Sequence, residues 1–336
     1  MKKHIYIYSP SGAVRDKAAF KRGIARLKTL GHEVEVDVDA LASHQRFAGD
    51  DTTRLAAIHR AAASGADVAL TTRGGYGLTR ILSGIHYKAV AKSIDRGTLF
   101  VGLSDFSAFS LAVLAKTGHV TWAGPALGEG FGVGGAESLE PDDIMEDCFN
   151  DLITGQGEGA GWRQTKEDRK VATVVVGENA PTSGANYSEV TGTKHLKDDY
   201  LLKNTVLWGG NLSVLCSLVG TPYLPLVKRG ILFLEDVAEH PYRIERMLSQ
   251  LLHCGILAHQ KAIVMGQFTD YKLVPHDKGY KLQTVVNWLR NQLKIPVLTN
   301  LPFGHVQTKV LLPVGATVDL AVQGRDALLI WGHQKR

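Results

Sequence analysis

Cysteine is scarce in this sequence, and it lacks the spacings that cysteine-based sites use. The three cysteines, Cys148, Cys216 and Cys254, are far apart and form no CxxC pair. An odd and scattered set indicates neither a disulfide framework nor a zinc site, and it is typical of a reducing compartment.

Long hydrophobic runs are lacking as well. No segment reaches the roughly 18 to 20 apolar residues that span a bilayer. The first apolar run, residues 5–8, is interrupted by Ser9-Pro10-Ser11-Gly12, whereas a signal peptide would continue with a longer apolar core. We therefore expect a cytoplasmic protein that is not exported and does not bind membranes.

Dense blocks of one charge are also missing. The 38 lysines and arginines are spread along the chain, and the formal net charge is +5. Nucleic-acid binding would favour a concentrated basic patch that follows a phosphate backbone, so we expect no nucleic-acid partner. A mildly positive surface suits a small anionic substrate better.

What the chain does contain is an ordinary globular composition over 336 residues, with 44% hydrophobic and 21% charged residues. This length predicts two domains. In the first 135 residues strand and helix patterns alternate, which predicts a parallel sheet covered by helices on both faces. The predicted strands are 4–8, 33–38, 68–72 and 99–102, and the predicted helices are 16–30, 50–63 and 104 to about 116.

The second half has shorter strands separated by turn residues. We predict an N-terminal α/β domain at 1–135, a linker at 136–165 and a β-rich C-terminal domain at 166–336. The predicted strands of this domain are 171–176, 205–207, 231–234, 262–265 and 310–314, and the predicted helices are 242–252 and 281–293. The polar segment 179–198 is interpreted as an exposed loop or hairpin.

Ser104 lies at a sharp turn between a predicted strand and a predicted helix, in Val101-Gly102-Leu103-Ser104-Asp105. A serine there has its hydroxyl at the carboxyl edge of the sheet, beside outward-pointing N–H groups that can stabilise an oxyanion. The match to a G-x-S-x-G elbow is incomplete because Phe106 replaces the second glycine. An N-capping serine is the alternative interpretation.

A second loop, Arg73-Gly74-Gly75-Tyr76-Gly77, also follows a predicted strand. Glycines allow the backbone to approach a ligand closely, so an N–H group here could complete an oxyanion hole. A tight turn that needs positive φ is the alternative. A phosphate-binding loop is disfavoured because the Lys-Ser/Thr pair is missing.

A serine nucleophile needs a base and a carboxylate that orients the base. Among 13 histidines, His305 ends the loop Leu301-Pro302-Phe303-Gly304-His305, and Glu235 follows the apolar strand 231–234. Each residue alone has a simpler interpretation, as an exposed loop histidine or a solvated strand-end acid. Their combination with Ser104 favours a Ser-His-Glu triad.

These motifs together resemble the LD-carboxypeptidases, serine peptidases that are also called muramoyltetrapeptide carboxypeptidases. The resemblance extends over nearly the whole chain. Its further motifs are Gly124-Pro125, Trp208-Gly209-Gly210-Asn211-Leu212, Gly220-Thr221-Pro222-Tyr223, Leu232-Phe233-Leu234-Glu235-Asp236 and Pro241-Tyr242-Arg243-Ile244.

The resemblance implies a flavodoxin-like N-terminal domain, like that of class I glutamine amidotransferases, and a smaller β-rich C-terminal domain. It implies catalytic Ser104, Glu235 and His305, with the backbone N–H groups of Gly75 and Asp105 as the oxyanion hole. The substrate is expected to be a murein tetrapeptide, cut between meso-diaminopimelate and its terminal D-alanine. Homodimers are usual in the family, and neither a metal nor another cofactor is required.

Substrate-binding residues are expected beside the oxyanion hole. Arg73 is a candidate partner for the terminal carboxylate of the substrate, because a guanidinium binds carboxylates well. Gly74 and Asn211 are further candidates.

Three alternatives remain open at this point. The stretch from about Arg169 to Lys203 is longer than in compact family members, which leaves room for the related microcin-immunity peptidases that hydrolyse peptide acyl-adenylates. A glutaminase-like amidotransferase would need a cysteine where Ser104 stands. A non-catalytic module that binds peptides is the third alternative.

Overall fold

The computed structural model describes residues 2–134, 140–165 and 200–332. These residues form a two-domain α/β fold built around two separate sheets. The predicted strand 171–176 and the polar segment 179–198 lie outside the described residues, as does most of the long stretch 169–203.

The first sheet has six strands in the order β11-β5-β4-β3-β1-β2, and β1 to β5 are parallel. Its interior strands are almost wholly apolar, as expected of strands that are covered on both faces. The strands from the first half of the chain are β1 (His4–Tyr8), β2 (Glu33–Val36), β3 (Val68–Thr71), β4 (Leu99–Gly102) and β5 (Thr121–Ala123). The helices are α1 (Lys17–Thr29), α2 (Asp51–Ala63), α3 (Leu78–Ile81), α4 (Tyr87–Asp95), α5 (Phe106–Thr117) and α6 (Asp143–Thr154), with a π-helix at Leu127–Phe131 and a 3₁₀ turn at Leu82–Gly84.

The second sheet has seven strands in the order β10-β9-β8-β7-β12-β13-β6. One half, β7 to β10, is parallel, and the other half is antiparallel. The strands are β6 (Gly159–Arg163), β7 (Tyr200–Asn211), β8 (Ile231–Val237), β9 (Ala262–Thr269), β10 (Val297–Leu298), β12 (Thr317–Gln323) and β13 (Asp326–Ile330). The helices are α7 (Leu212–Ser217), α8 (Pro241–His253) and α9 (Leu282–Gln292), with a 3₁₀ turn at Pro275–Asp277.

One expectation about the second half needs correction. The predicted strand 310–314 becomes β11 (Leu312–Val314), which does not belong to the second sheet but pairs antiparallel with β5 at the edge of the first. The chain therefore returns to the first domain after His305. The second sheet has seven described strands and the first has six.

The range 136–165, which the sequence predicts to be a linker, contains two regular elements. The apolar side chains Met145, Phe149 and Ile153 of α6 pack in the same core as Ile5 and Ile7 of β1. Strand β6 pairs with β13 and completes the second sheet. Both elements pack against a sheet, so this part of the chain does more than connect the two domains.

Helices α5 and α7 connect the two domains. Phe109 and Leu111 of α5 share one core with Leu212 and Leu215 of α7. The carboxyl ends of the parallel strands from both sheets lie near this junction, where ligands bind in open α/β sheets. In the described ranges, no helix combines the length and the apolar character that crossing a bilayer requires.

Candidate active site

Ser104 occupies a strained turn directly after β4. Its φ is +65°, which is uncommon for a residue with a side chain and is a conformation that clusters at active sites. The N-cap of α5 is Asp105 and not Ser104, and no side chain caps this helix end. The N-capping interpretation of Ser104 is therefore not supported, and its hydroxyl makes no hydrogen bond to any described residue.

The Asp105 carboxylate anchors the turn to two neighbouring segments. It is 1% exposed and accepts hydrogen bonds from Ser11 Oγ at 2.5 Å and from the Leu78 N–H at 2.9 Å. Burial raises the pKa of Asp105, although these hydrogen bonds and the positive charge of Arg54 act in the opposite direction. The carboxylate thus ties the loop after β1 and the start of α3 to the serine turn.

Two backbone N–H groups beside Ser104 are free to act as oxyanion donors. Neither the Gly75 nor the Asp105 N–H donates to an acceptor within the described ranges. Gly74 brings the two loops together, because a Cβ at Gly74 would lie 2.5 Å from Ser104 Cβ. Any larger residue at position 74 would push the glycine loop away from the serine.

His305 and Glu235 are in direct contact. His305 Nδ1 lies 2.8 Å from Glu235 Oε2, and the Glu235 side chain is fully buried. A carboxylate only accepts hydrogen bonds, so the contact places the ring proton on Nδ1 and leaves Nε2 as an acceptor. This is the tautomer that a general base requires.

The electrostatic surroundings raise the pKa of His305. Burial is the largest single influence and acts to lower the pKa, but the hydrogen bond and charge of Glu235 together with the charges of Glu129 and Asp236 outweigh it. Carboxylates thus stabilise the imidazolium that forms when His305 accepts a proton.

The loop that carries His305 is held by close packing. Phe303 is 1% exposed and meets Phe233 edge to face, with ring centroids 5.4 Å apart. Gly304 has φ +141°, and a Cβ there would lie 2.9 Å from Gln267 O and 3.2 Å from Glu235 Oε2. Only glycine satisfies both the backbone conformation and the space next to the carboxylate.

Asn211 lies behind Glu235. Its side-chain nitrogen donates to Glu235 Oε1 at 3.1 Å and to Asp236 Oδ1 at 3.0 Å, and the residue is 4% exposed. Its oxygen accepts from the Val214 N–H at 3.1 Å and so caps α7. These contacts favour a positioning role over the substrate-binding role that the sequence suggests for Asn211.

The part of the site that carries Glu235 and His305 contacts the part that carries Ser104 through Ser107. Ser107 Oγ accepts a hydrogen bond of 3.0 Å from the Asn211 N–H. Gly210 makes this approach possible, because with φ +136° its Cβ would lie 2.4 Å from the same oxygen. A continuous chain of contacts therefore runs from the first turn of α5, which follows Ser104, through Asn211 and Glu235 to His305.

The hydrogen bond between Ser104 and His305 is not formed among the described residues. Catalytic hydrogen bonds are often long without substrate and tighten in the complex. The structure therefore joins His305 to Glu235 directly, and the helix that follows Ser104 contacts Asn211, the neighbour of Glu235, through Ser107.

Arg73 folds back over the glycine loop. Its Nη1 is 3.4 Å from the Ala13 carbonyl oxygen, and a Cβ at Gly12 would lie 2.6 Å from the same nitrogen. Burial is the main cause that lowers its pKa, while Glu129 acts in the opposite direction. The guanidinium thus lies beside Gly75, on the oxyanion side of the site.

Sequence reasoning missed four residues of this region. Asp236 neighbours Glu235 and Ser107 lies three residues after Ser104, so proximity in the motifs could have indicated both. Glu129 and Lys309 have no such signal, because only the fold brings the π-helix and the loop after His305 towards Glu235. The described residues contain no group of three or more histidine, cysteine or acidic side chains arranged to hold a metal ion.

Two family models match the chain. The LD-carboxypeptidase N-terminal domain matches residues 5–124, and the LD-carboxypeptidase C-terminal domain matches residues 204–320. The two matched regions include Ser104 in the first case and both Glu235 and His305 in the second.

Individual relatives agree with these models. A muramoyltetrapeptide carboxypeptidase of known structure from Oxalobacter formigenes is 35% identical, with a TM-score of 0.79 over 99% of this chain and 100% of that one. The "Probable murein peptide carboxypeptidase" of Bacillus subtilis is 26% identical over 304 residues, 90% of this chain and 84% of the relative. The microcin C7 self-immunity protein of Escherichia coli is 27% identical over 266 residues, 75% of this chain and 70% of the relative.

Proposed function

The chain belongs to the LD-carboxypeptidase family, and we propose that it releases the terminal D-alanine from murein tetrapeptides as a serine peptidase. The scissile bond joins the L-centre of meso-diaminopimelate to D-alanine. The observation that carries the proposal is the 2.8 Å contact of His305 with the buried Glu235. Asn211, from the same domain as these two residues, donates a hydrogen bond to Ser107 in the first turn of the helix that follows Ser104.

The proposed reaction begins with attack by Ser104. His305 Nε2 takes the hydroxyl proton while Oγ forms a bond to the carbonyl carbon of the diaminopimelate residue. Glu235 keeps the ring in the required tautomer and stabilises the imidazolium. His305 then gives the proton to the amine of D-alanine as the C–N bond breaks, which leaves the peptide as an ester on Ser104.

Water completes the cycle. His305 takes a proton from a water molecule as the water oxygen attacks the ester carbon. His305 then gives that proton to Ser104 Oγ when the C–O bond to the serine breaks. In both steps a negative charge develops on the carbonyl oxygen. The N–H groups of Gly75 and Asp105, which have no acceptor among the described residues, support an oxyanion hole there. Each donor in such a hole contributes about 3 to 4 kcal/mol in comparable enzymes.

Substrate binding is proposed on the side of the glycine loop. Arg73 offers a cationic partner for a carboxylate of the peptide, and Gly74 leaves the space that the substrate needs beside Ser104. Asn211 acts as a positioning residue, because its amide nitrogen donates hydrogen bonds to both Glu235 and Asp236.

We also propose that the first domain is flavodoxin-like and resembles class I glutamine amidotransferases. Its parallel strands follow the order 2-1-3-4-5, which is the flavodoxin order. The family resemblance further supports a cytoplasmic homodimer that uses no metal or other cofactor. Light scattering coupled to gel filtration tests the dimer, since a monomer at micromolar concentration would contradict it.

The activity is tested by incubation with the free tetrapeptide and separation of the products by mass spectrometry. We expect the tripeptide and free D-alanine, and we expect no cleavage of the matched peptide that ends in L-alanine. An intact tetrapeptide after prolonged incubation would contradict the proposal. The muramoyl-linked and nucleotide-linked peptides, assayed in parallel, define the preferred form of the substrate.

The second candidate function is hydrolysis of peptide acyl-adenylates. Similarity to the microcin C7 self-immunity protein supports it. A non-hydrolysable aminoacyl sulfamoyl adenosine distinguishes the two, because tight binding of this analogue combined with an uncut tetrapeptide would favour the acyl-adenylate function. If neither ligand is bound or cut, the non-catalytic alternative is favoured. Ser104 in place of a cysteine disfavours a glutaminase-like amidotransferase.

A further inference from the structure

Lys309 is a buried lysine on the loop that follows His305. The residue is 1% exposed, yet its ammonium forms no hydrogen bond or ion pair with any described residue. Buried lysines are rare, and they are normally paired because an isolated buried charge is costly. The described residues do not fully enclose the ammonium, so it keeps a small contact with solvent.

The position of Lys309 is fixed by its neighbours. It lies on the loop that runs from His305 to β11, between two anchored residues. Thr308 Oγ1 donates to Asp142 Oδ2 at 2.6 Å, and the Val310 N–H donates to the Pro302 carbonyl at 2.8 Å. The lysine is therefore held in place by its two neighbours in the chain and not by its own charge.

Lys309 lies four residues after His305 on the same loop, so the chain itself places it next to the proposed base. Burial is the main cause that lowers its pKa, while Glu129, Asp142 and Glu235 act in the opposite direction. Glu129 acts in the same way on His305 and on Arg73. Glu129 thus acts on the lysine, on the proposed base and on the arginine, and its π-helix is bonded to Thr72, the residue before Arg73, through the Gly128 N–H at 3.0 Å. None of these carboxylates pairs with the ammonium.

In a carboxypeptidase, a cation in this place can hold the terminal carboxylate of the substrate by a charge-assisted hydrogen bond. The amine that His305 protonates and the terminal carboxylate of the substrate are attached to the same α-carbon of the leaving amino acid. The carboxylate must therefore lie within a few ångströms of the His305 ring. Arg73 lies instead over Gly12 and beside Gly75, on the oxyanion side.

We infer that Lys309 binds the terminal carboxylate of the peptide and thereby selects substrates with a free carboxyl end. The inference rests on the proposed function and makes it more specific. It assigns the terminal carboxylate to Lys309 and leaves Arg73 for another carboxylate of the same peptide. A bound carboxylate supplies the partner that the buried ammonium lacks.

The test compares two substrates, the tetrapeptide that ends in D-alanine and the same peptide that ends in D-alaninamide. A charge-assisted hydrogen bond corresponds to roughly 10- to 150-fold in kcat/KM, so the wild-type protein is expected to prefer the acid by about this factor. Lys309→Met should lose the preference, mainly through a higher KM for the acid. Arg73→Gln is the matched comparison and should keep the preference.

Each outcome decides the inference. If Lys309→Met loses kcat/KM equally on both substrates, the lysine is a structural residue of the loop. If its preference for the acid is unchanged, the lysine does not bind the carboxylate. Both results overturn the inference and leave the proposed function intact. A preference lost in Arg73→Gln alone would assign the carboxylate to Arg73. If Lys309→Met does not fold, Lys309→Arg decides, since a retained charge should retain the preference and its loss would contradict the inference. A wild-type protein that cleaves neither substrate overturns the proposed function, and this inference with it.

Discussion

Replacement of Glu235 by glutamine tests how strongly catalysis depends on the orientation of His305. In the wild-type protein both oxygens of Glu235 accept hydrogen bonds, Oε2 from His305 Nδ1 at 2.8 Å and Oε1 from Asn211 Nδ2 at 3.1 Å. A glutamine has one oxygen and one NH₂ group, so it can accept from only one of the two.

The structure indicates which of the two partners keeps the oxygen. Asn211 cannot easily turn its amide, because its own oxygen is held by the Val214 N–H at 3.1 Å. The glutamine oxygen therefore stays with Asn211, and its NH₂ group faces His305. The imidazole must then accept at Nδ1 and carry its proton on Nε2, where it cannot take the proton of Ser104.

This change of tautomer sets the expected magnitude. An incorrect tautomer in a comparable triad reduces kcat by about 10⁴. We therefore expect Glu235→Gln to lower kcat by roughly 10³- to 10⁴-fold, or about 4 to 5.5 kcal/mol in the activation barrier. The residual activity should extend to lower pH, because loss of the Glu235 charge removes an influence that raises the pKa of His305.

Stability should change much less than activity. Burial, and after it the charge of Glu235, raises the pKa of Asp236, so folding disfavours ionised Asp236 relative to the unfolded chain. Removal of the neighbouring charge relieves this repulsion and offsets the lost charge-assisted hydrogen bond. The free energy of unfolding should therefore change by less than about 2 kcal/mol.

The assay is D-alanine release across the pH range, combined with chemical unfolding of the same preparations. Glu33→Gln is the control, because Glu33 is an exposed glutamate of β2, at the edge of the first sheet opposite β11. It should leave both quantities unchanged. The reasoning is refuted if Glu235→Gln keeps more than a tenth of wild-type kcat, or if its lost activity follows from unfolding.

Two further predictions concern the surroundings of the base. Gly304→Ala should destabilise the protein by about 1 to 3 kcal/mol through its positive φ and should also reduce kcat, because the new Cβ crowds Glu235. Gly31 is the control, because it has φ +90° and open space around it. Gly31→Ala should lower the free energy of unfolding without loss of activity, and equal activity in both variants would contradict the crowding argument. Glu129→Gln should shift the acidic limb of kcat/KM to lower pH, because the Glu129 charge helps to raise the pKa of His305, and His305 must be unprotonated to act as a base. A pH profile that coincides with the wild type would show that Glu129 does not act on the base.

The first domain was largely predictable from the sequence, since local patterns determine it. Alternating apolar strands and amphipathic helices such as α1 and α2 carry strong periodic signals, and their predicted bounds agree with the structure to within about two residues. The turn at Ser104 was predictable for the same reason, because a strand and a helix meet there within a few residues.

The second half was less predictable because its order depends on contacts between distant segments. Strand β11 has only three residues, and its sequence does not indicate that it pairs with β5 nearly 190 positions earlier. The hairpin of β12 and β13 was missed, although β12 alternates between buried and partly exposed positions. The resemblance to a family identified Glu235 and His305, but Lys309 has no motif of its own, and only the fold reveals it.

The most direct test of the central claim is the rate of D-alanine release by Ser104→Ala compared with the wild-type protein. The substitution removes only the hydroxyl, and Ser104 Oγ makes no hydrogen bond to a described residue, so the fold should be retained. Loss of a triad member leaves only the catalysis that the oxyanion hole and binding supply. We expect a rate at least about 10³-fold lower than that of the wild type. Release at the wild-type rate would contradict the assignment of Ser104 as the nucleophile.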